Sequence, residues 1–417
     1  MKNIYRELKL RGLIKDFSNE EEVEELLSKK QTIYCGFDPS AKSMHVGNFV
    51  MIALLMRLQR AGHRVIAVVG GATGMVGDPS GKSKERNLLD QTTLQENTDA
   101  IRKQLERFID LTDPERGVIV NNYDWLGKMN YLDVLRDYGK FFSINAMLQK
   151  DAVSSRMESG ISYTEFSYMI LQSLDFLHLF QKYGCRLQVG GSDQWGNLVS
   201  GLDLIKRVAG SDTQVGVMTS HLITKSDGSK FGKSEGGALY LDKELTSPYQ
   251  LYQYFINTGD EDAVHYLKVF TFLSLAEIEK IATEHQKNLG ARIAQKRLAY
   301  EIVKIIHHED EAESAVRMSE VLFSGEVSSL RPREIDELFK EVRFLVAEPL
   351  SLIDALVLTN GAKSKREARE FIQGNSILVN GHRINDLEFI VKKENALHAR
   401  YTVIRRGKKN YYLIEHQ

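Results

Sequence analysis

The chain has 417 residues, more than one small core needs. Its 42% hydrophobic and 27% charged content, with 31 glycines and 6 prolines, excludes collagen-like and largely disordered chains. The longest apolar run, residues 49–56, falls far short of the roughly 20 residues that span a bilayer, and residues 1–30 alternate charges with isolated apolar positions, unlike a signal or transit peptide. A cytoplasmic protein without a membrane partner is expected. The formal charge of −1 hides a division: residues 351–417 hold 12 basic and 7 acidic side chains, or +5, which leaves −6 for the rest. Such a tail suits a polyanion partner, although a solvated charged surface accounts for it equally. Cys35 and Cys185 are far apart, so neither a disulfide framework nor a zinc site is suggested.

In chain order, short β-rich runs at 33–37, 65–70, 118–120 and 187–190 alternate with longer helical stretches, as a parallel sheet with crossover helices requires. Helical patterns near 134–158 read as an insertion. From Ser247 to about Gly325 the pattern is helical, with Leu251, Tyr254 and Phe255 at i, i+3 and i+4. Residues 331–350, mixed and charged with Pro332 and Pro349, read as a linker. In the last segment Ser364-Lys365-Arg366-Glu367 has a capping-box pattern, and 377–384 reads as a hairpin turning at Asn380-Gly381.

Two Gly-Lys-Ser strings, Gly81-Lys82-Ser83 and Gly232-Lys233-Ser234, raise a P-loop. That motif needs another glycine five residues earlier, where Val76 and Asp227 stand, so an NTPase is the lesser alternative. Tyr34 to Ser40 ends a strand and turns at Pro39, and His45-Val46-Gly47-Asn48 opens an apolar helix. His45 and Asn48 share a face of its first turn, where free N–H groups and the helix dipole favour phosphate, and Gly47 lets a ligand lie against the backbone. Taken alone, His45 reads more simply as a surface or capping residue. Five glycines between Gly70 and Lys82 follow an apolar strand, at the end where open α/β sheets bind ligands, and Asp78, Lys82 and Arg86 would face that crevice.

A greasy helix over 163–183 carries Tyr168, Gln172 and Asp175 at i, i+4 and i+7, within about 60° of one another. Buried polar groups need partners, so this stripe meets either a polar ligand or water and protein groups. Gly190-Gly191-Ser192-Asp193-Gln194 again places glycines and a carboxylate at a strand end, where Asp193 could accept ribose hydroxyls. The loop from Lys225 to Ser234 holds Lys225, Lys230 and Lys233, cations that could neutralise polyphosphate charge, although most lysine-rich loops are merely solvated.

In this joint order the motifs resemble the class I aminoacyl-tRNA synthetases, and among them the bacterial-type tyrosyl-tRNA synthetases, along nearly the whole chain. His45-Val46-Gly47-Asn48 is similar to the His-hydrophobic-Gly-His signature, with Asn48 where His is usual. Lys230-Phe231-Gly232-Lys233-Ser234 resembles the Lys-Met-Ser-Lys-Ser loop, and Ser40 stands where Thr is common. The resemblance implies an α/β fold: a Rossmann-like parallel-sheet catalytic domain over 1–235 with a helical insertion near 134–158, then an α-helical domain on the anticodon side over 236–330. A linker over 331–350 and a basic α+β RNA-binding domain over 351–417, of the ribosomal small-subunit protein type, would complete it.

It further implies tyrosine activation by ATP to tyrosyl-adenylate and pyrophosphate, then transfer to the 3′-terminal adenosine of tRNA(Tyr), without a covalent enzyme intermediate. By position, Tyr34 and Asp175 would hold the phenolic OH and Asp78, Tyr168 and Gln172 the α-ammonium, while Gln194 would lie near the carboxylate. Cys35, Gly36, Asp38, Gly47, Asn48, Gly191 and Asp193 would line the ATP site. Ser40, His45, Lys82, Arg86, Lys230, Lys233 and Ser234, with Asn48, would serve the reacting phosphates. In the tail, Lys363, Lys365, Arg366, Arg369, Arg405, Arg406, Lys408 and Lys409 would meet RNA. A homodimer is implied too. Mg2+ would arrive with ATP, and His307-His308-Glu309-Asp310 reads as a solvated helix end, so no metal site is expected. The alternative from another class, a non-catalytic RNA-binding protein on a synthetase scaffold, sits poorly with the presence of His45, Asp175, Lys230 and Lys233.

Overall fold

The computed structural model describes residues 4–82, 88–226, 228, 231–234, 237–407 and 410–417, the side chain of Ser234 excepted. The chain divides into two compact units, one of residues 1–247 and 254–302, the other of 248–253 and 303–417.

In the first unit, β1 (Thr32–Phe37) leads through α1 (Val46–Arg60) to β2 (Arg64–Val69), and α2 (Gln91–Glu106) leads on to β3 (Gly117–Asn121). Four short helices, Tyr123–Leu126, Tyr131–Asp137, Ile144–Leu148 and Asp151–Ser154, precede α3 (Tyr163–Tyr183), β4 (Cys185–Gly191), α4 (Trp195–Ala209) and β5 (Gly216–Ser220). The strands are all parallel in the order β3-β2-β1-β4-β5. The inner strands are buried on both faces, so they read as continuous apolar runs without alternation. No strand is expected above at 216–220, although Val217 and Thr219 are strand formers. There, β5 forms through its pairing with β4, from Leu187↔Gly216 to Gly191↔Ser220, and is wholly buried.

Helix α3 has its expected ends for physical reasons. Ser162 accepts a hydrogen bond from the Glu165 N–H at 3.2 Å, and Gly184 closes the last turn at φ 64°, a conformation that costs other residues about 1 kcal/mol or more. Its inner face packs Leu174, Phe176 and Leu177 against Tyr34, Ile66 and Leu198. Each such side chain stabilises the unit by roughly 1.5–3 kcal/mol on burial. The chain fills the sheet outward from β1 on one side, then returns to fill β4 and β5 on the other. That reversal leaves a crevice beyond the carboxyl ends of β1 and β4.

Helices follow: α5 (Pro248–Ile256), α6 (Asp260–Phe270), α7 (Leu275–Lys287), α8 (Ile293–His307), α9 (Glu309–Ser324) and α10 (Pro332–Leu338). The second unit ends in β6 (Arg343–Val346), α11 (Leu352–Leu358), α12 (Lys365–Gln373), β7 (Ile377–Val379), β8 (His382–Arg383), β9 (Tyr401–Arg406) and β10 (Asn410–His416). Its sheet order is β8-β7-β9-β10-β6. Alternation along β9 sends Ile404 toward Leu356 and Ile372 of α11 and α12, while Tyr401 and Val403 face Met318 and Val321 of α9. Asn380 (φ 53°) and Gly381 (φ 87°) make the two-residue turn between β7 and β8.

Residues 331–350, expected as a linker, instead hold α10 and β6. Strand β6 pairs in parallel with β10, from Leu413↔Arg343 to His416↔Val346. Its run of Phe344, Leu345 and Val346 is short, and flanking charges hide it in the sequence, so only the pairing with β10 defines it as a strand.

Candidate active site

At the carboxyl ends of β1 and β4 the crevice deepens into a cavity of about 680 Å³. Tyr34 and Gln188 are register partners on β1 and β4, so their side chains leave the same face of the sheet into its floor. The Tyr34 hydroxyl is buried without a hydrogen-bond partner, and burial followed by the charge of Asp175 raises its pKa well above the usual value. Asp175, 4% exposed, accepts hydrogen bonds from Asn122 Nδ2 at 3.0 Å and Trp125 Nε1 at 2.8 Å. Burial outweighs those donors and lifts its pKa to about 7.

One turn and two turns back along α3, Gln172 and Tyr168 line the same cavity. Tyr168 donates to Asp38 Oδ2 at 2.8 Å, and Thr73 Oγ1 donates to Asp38 Oδ1 at 2.7 Å. Gly70 has to be glycine here, because a Cβ would stand 2.1 Å from that Asp38 oxygen. Asp78 accepts from Gln194 Nε2 at 2.6 Å and lies 3.4 Å from Asn197 Nδ2. One wall thus offers a phenol, an amide and carboxylates, with Asp175 deepest. Cys35 is buried beside it, its thiol donating to the Gly36 carbonyl and its pKa pushed up to about 12 by burial.

The other end of the cavity is cationic and opens to solvent. His45 precedes α1, with its backbone N–H donating to Asn48 Oδ1 at 3.1 Å, so Asn48 serves as the reciprocal cap of that turn. Gly47 is required by this fold of the imidazole, since a Cβ would stand 2.8 Å from His45 Cε1. Burial first, then the charges of Lys82 and Lys233, depress the His45 pKa, which keeps the ring neutral. Ser40, Lys82 and Asp193 are exposed at the mouth. Although Asp193 opens to solvent, the surrounding wall and then Asp78 raise its pKa. A Cβ on Gly191 would stand 2.6 Å from Asp193 Oδ1, so that glycine admits the carboxylate.

Lys233 and Ser234 pair antiparallel with Ala238 and Gly237. Lys233 and Ser234 are thus in a strand and, among the described residues after them, no helix begins before Pro248, which removes the geometry a P-loop needs. Arg86 and Lys230 lie outside the described residues. Among those described, no group of three or more His, Cys, Asp or Glu is placed to hold a metal.

In the second unit Lys363, Lys365, Arg366 and Arg369 are exposed around the start of α12. Lys365 is paired with Asp354 (2.7 Å) and Arg366 with Glu370 (3.1 Å). Arg405 and Arg406 are not brought together, because successive strand residues face opposite ways. Arg406 lies over the Phe371 ring, whereas Arg405 turns to Tyr411 and Gly325. Lys408 and Lys409 lie outside the described residues.

The family described as tRNA synthetases class I (W and Y) matches residues 27–324, and the tyrosine–tRNA ligase SYY-like C-terminal domain matches 334–414. Tyrosine–tRNA ligase of Geobacillus stearothermophilus is 49% identical over 99% of this chain and 100% of that protein. Tyrosine–tRNA ligase 1 of Bacillus subtilis is 48% identical over the whole of both. The chain belongs to the tyrosine–tRNA ligase family. Among solved structures, a C-terminally truncated mitochondrial tyrosyl-tRNA synthetase of Aspergillus nidulans superposes with a TM-score of 0.71 at 34% identity, covering 78% of this chain and 95% of that one. A tryptophanyl-tRNA synthetase of Encephalitozoon cuniculi shares the fold alone, with a TM-score of 0.54 at 16% identity.

For a tyrosine–tRNA ligase family member, the residues that sequence reasoning missed are those that orient others. Asn122 and Trp125 hold Asp175, and Asn122 also donates to Thr73 Oγ1 at 3.0 Å. A signal for them exists: Asn121-Asn122-Tyr123-Asp124-Trp125 begins at the last residue of β3, a fourth polar cluster at a strand's carboxyl end.

Proposed function

We propose that the chain activates tyrosine with ATP and transfers it to the 3′-terminal adenosine of tRNA(Tyr), working in the cytoplasm as a homodimer. The observation that carries the tyrosine reading is the floor of the cavity. A buried Tyr34 hydroxyl without a partner stands within electrostatic reach of the Asp175 carboxylate. A hydroxylated ring gives the Tyr34 hydroxyl its missing partner and Asp175 a further donor, whereas a ring without the hydroxyl leaves the Tyr34 hydroxyl unpaired, a logic for which this family is itself the established example.

With the ring seated there, the α-ammonium falls to Tyr168, Gln172 and Asp78. A tyrosine carboxylate oxygen then attacks the α-phosphorus of ATP. The new P–O bond forms as the bond to the β-phosphate oxygen breaks, and the electron pair leaves with pyrophosphate. The positive end of α1, the neutral His45 ring and the ammonium groups of Lys82 and Lys233 face the charge that grows on those oxygens. Arg86 and Lys230 are assigned to the same task by sequence. Mg2+ enters as part of the ATP substrate. In the second step a ribose hydroxyl of the terminal adenosine attacks the tyrosyl carbonyl and releases AMP. The basic side chains around α12 would hold tRNA phosphates.

Support for the homodimer comes from residues 131–163, where Tyr131, Leu132, Leu135, Ile144, Met157 and Tyr163 are all exposed. Exposed apolar side chains gathered in one stretch suit a subunit interface. The test of the activity is pyrophosphate exchange into ATP, expected only with tyrosine; equal exchange with tryptophan, or with no amino acid, would refute it.

A further inference from the structure

We propose that Tyr254 and Asp262 are positioning residues for the first reaction step, holding the lysine loop against the helix start that carries His45. The inference rests on the function proposed above and adds two residues to which sequence reasoning gave no role in the site.

The chain on the entry side of the loop is tied to α6 and to the end of α5. The Ser226 N–H and Oγ both lie 3.1 Å from Asp262 carboxylate oxygens. Tyr266 donates to the Thr224 carbonyl at 3.1 Å, and the Lys225 ammonium lies 5.3 Å from the centre of the Tyr254 ring. On the exit side Phe231 is set among Tyr254, Phe255, Tyr266 and Phe270, stacked on Phe270 with centroids 5.2 Å apart. The Gly232 N–H then donates to the Tyr254 hydroxyl at 2.8 Å. Tyr254 therefore touches both ends of the segment.

Gly232 is also where the loop crosses α1. Its φ is +76°, and a Cβ there would stand 3.5 Å from the Gly47 nitrogen. Its carbonyl accepts from the Leu239 N–H, and the Leu239 carbonyl accepts from the Val46 N–H at 2.9 Å. Lys233 is the next residue. Fixing the Gly232 N–H thus fixes the backbone that aims Lys233 at the His45 end of the cavity. Asp262 fixes Ser226, so the chain is also anchored on the entry side. A transition-state donor is worth most when its position is set beforehand, and these contacts set it.

The experiment uses the full-length protein with single-turnover adenylate formation and tyrosine KM as readouts. Tyr254→Phe keeps the ring packing and removes the acceptor of the Gly232 N–H. It should slow adenylate formation about 2- to 12-fold, the fold-change that one net hydrogen bond sets, with tyrosine KM unchanged. Asp262→Ala should act in the same direction, and it carries the test alone if the Tyr254 variant does not fold. In a Lys233→Ala background both effects should vanish, because each acts through that lysine. Undiminished rates in both single variants, or equal losses with and without Lys233, would overturn the proposal. Wild-type protein without tyrosine-dependent exchange would instead overturn the function on which it rests.

Discussion

Replacing Tyr34 by Phe should weaken substrate discrimination and, at the same time, leave the ligand-free protein as stable as before or more stable. Ordinary loss of a buried hydroxyl removes a hydrogen bond and destabilises. Here the hydroxyl has no partner in the protein, so the folded state already bears its desolvation, a cost of about 1–3 kcal/mol that the variant relieves. Phe fills the same volume against Phe176, whose ring centre is 5.4 Å away, so no cavity offsets that gain. With substrate bound, the same hydroxyl supplies one hydrogen bond to a phenol and none to phenylalanine. Its loss should lower the preference for tyrosine over phenylalanine by about 0.5–1.5 kcal/mol, or roughly 2- to 12-fold. The assays are urea unfolding without ligands and the ratio of kcat/KM for the two amino acids in pyrophosphate exchange. An unchanged ratio together with a stability loss above about 1 kcal/mol would show that the hydroxyl serves the fold and not the substrate.

Asp175, whose pKa is raised to about 7 from an ordinary 3.8, binds a proton in the folded chain at pH values where the unfolded chain has lost it, so its burial erodes stability as pH rises from about 4 to 7. Asp175→Asn, expected to lose tyrosine activation, should gain stability relative to wild type across that window by up to about 4 kcal/mol and no further above it; an offset that is the same at pH 5 and pH 8 would refute the burial argument. Lys233→Ala should slow adenylate formation roughly 100- to 1000-fold, by analogy with losing one preorganised donor, while tyrosine binding by equilibrium dialysis barely moves; a large loss of tyrosine affinity with normal chemistry contradicts the role. Deleting residues 351–417 should spare pyrophosphate exchange and abolish tRNA charging. Because it strips Tyr401, Val403 and Leu413 from Met318, Val321 and Phe339, it should also lower solubility, seen as aggregation in light scattering.

The site was legible where chemistry and secondary structure coincide within a few residues. Glycines and carboxylates following apolar runs announce strand ends, and all three such stretches, after β1, β2 and β4, meet in one cavity. The polar stripe of α3 was legible because helical periodicity places residues 168, 172 and 175 on one face whatever surrounds them. Partners supplied from elsewhere in the chain were not. Nothing near Asp175 in sequence names Asn122 or Trp125, about 50 positions away, and nothing near Gly232 names Tyr254 as its acceptor. Strands β5 and β6 escaped for a related reason: each is defined by its pairing with a neighbour.

Charge was the least spatial of the sequence signals, and the second unit shows why. Arg405 and Arg406 are adjacent in sequence, yet the strand pleat sends one toward Gly325 and the other over Phe371. Only the second lies on the side of the sheet that carries α12. The cations around the start of α12 are not waiting unpaired either, since Asp354 and Glu370 already neutralise Lys365 and Arg366. These pairs are solvent-exposed, where an ion pair gains little over two hydrated ions, so exchanging a carboxylate for an RNA phosphate costs the protein little. Each ammonium or guanidinium that moves to phosphate also releases condensed counterions, and that release outweighs the small cost of the exchange. The favourable direction thus comes from the polyanion, and tRNA affinity should fall with rising salt in proportion to the number of these cations engaged. Removing Lys365 and Arg366 should flatten that slope; a slope unchanged by the double substitution would place the tRNA contact on another face of the unit.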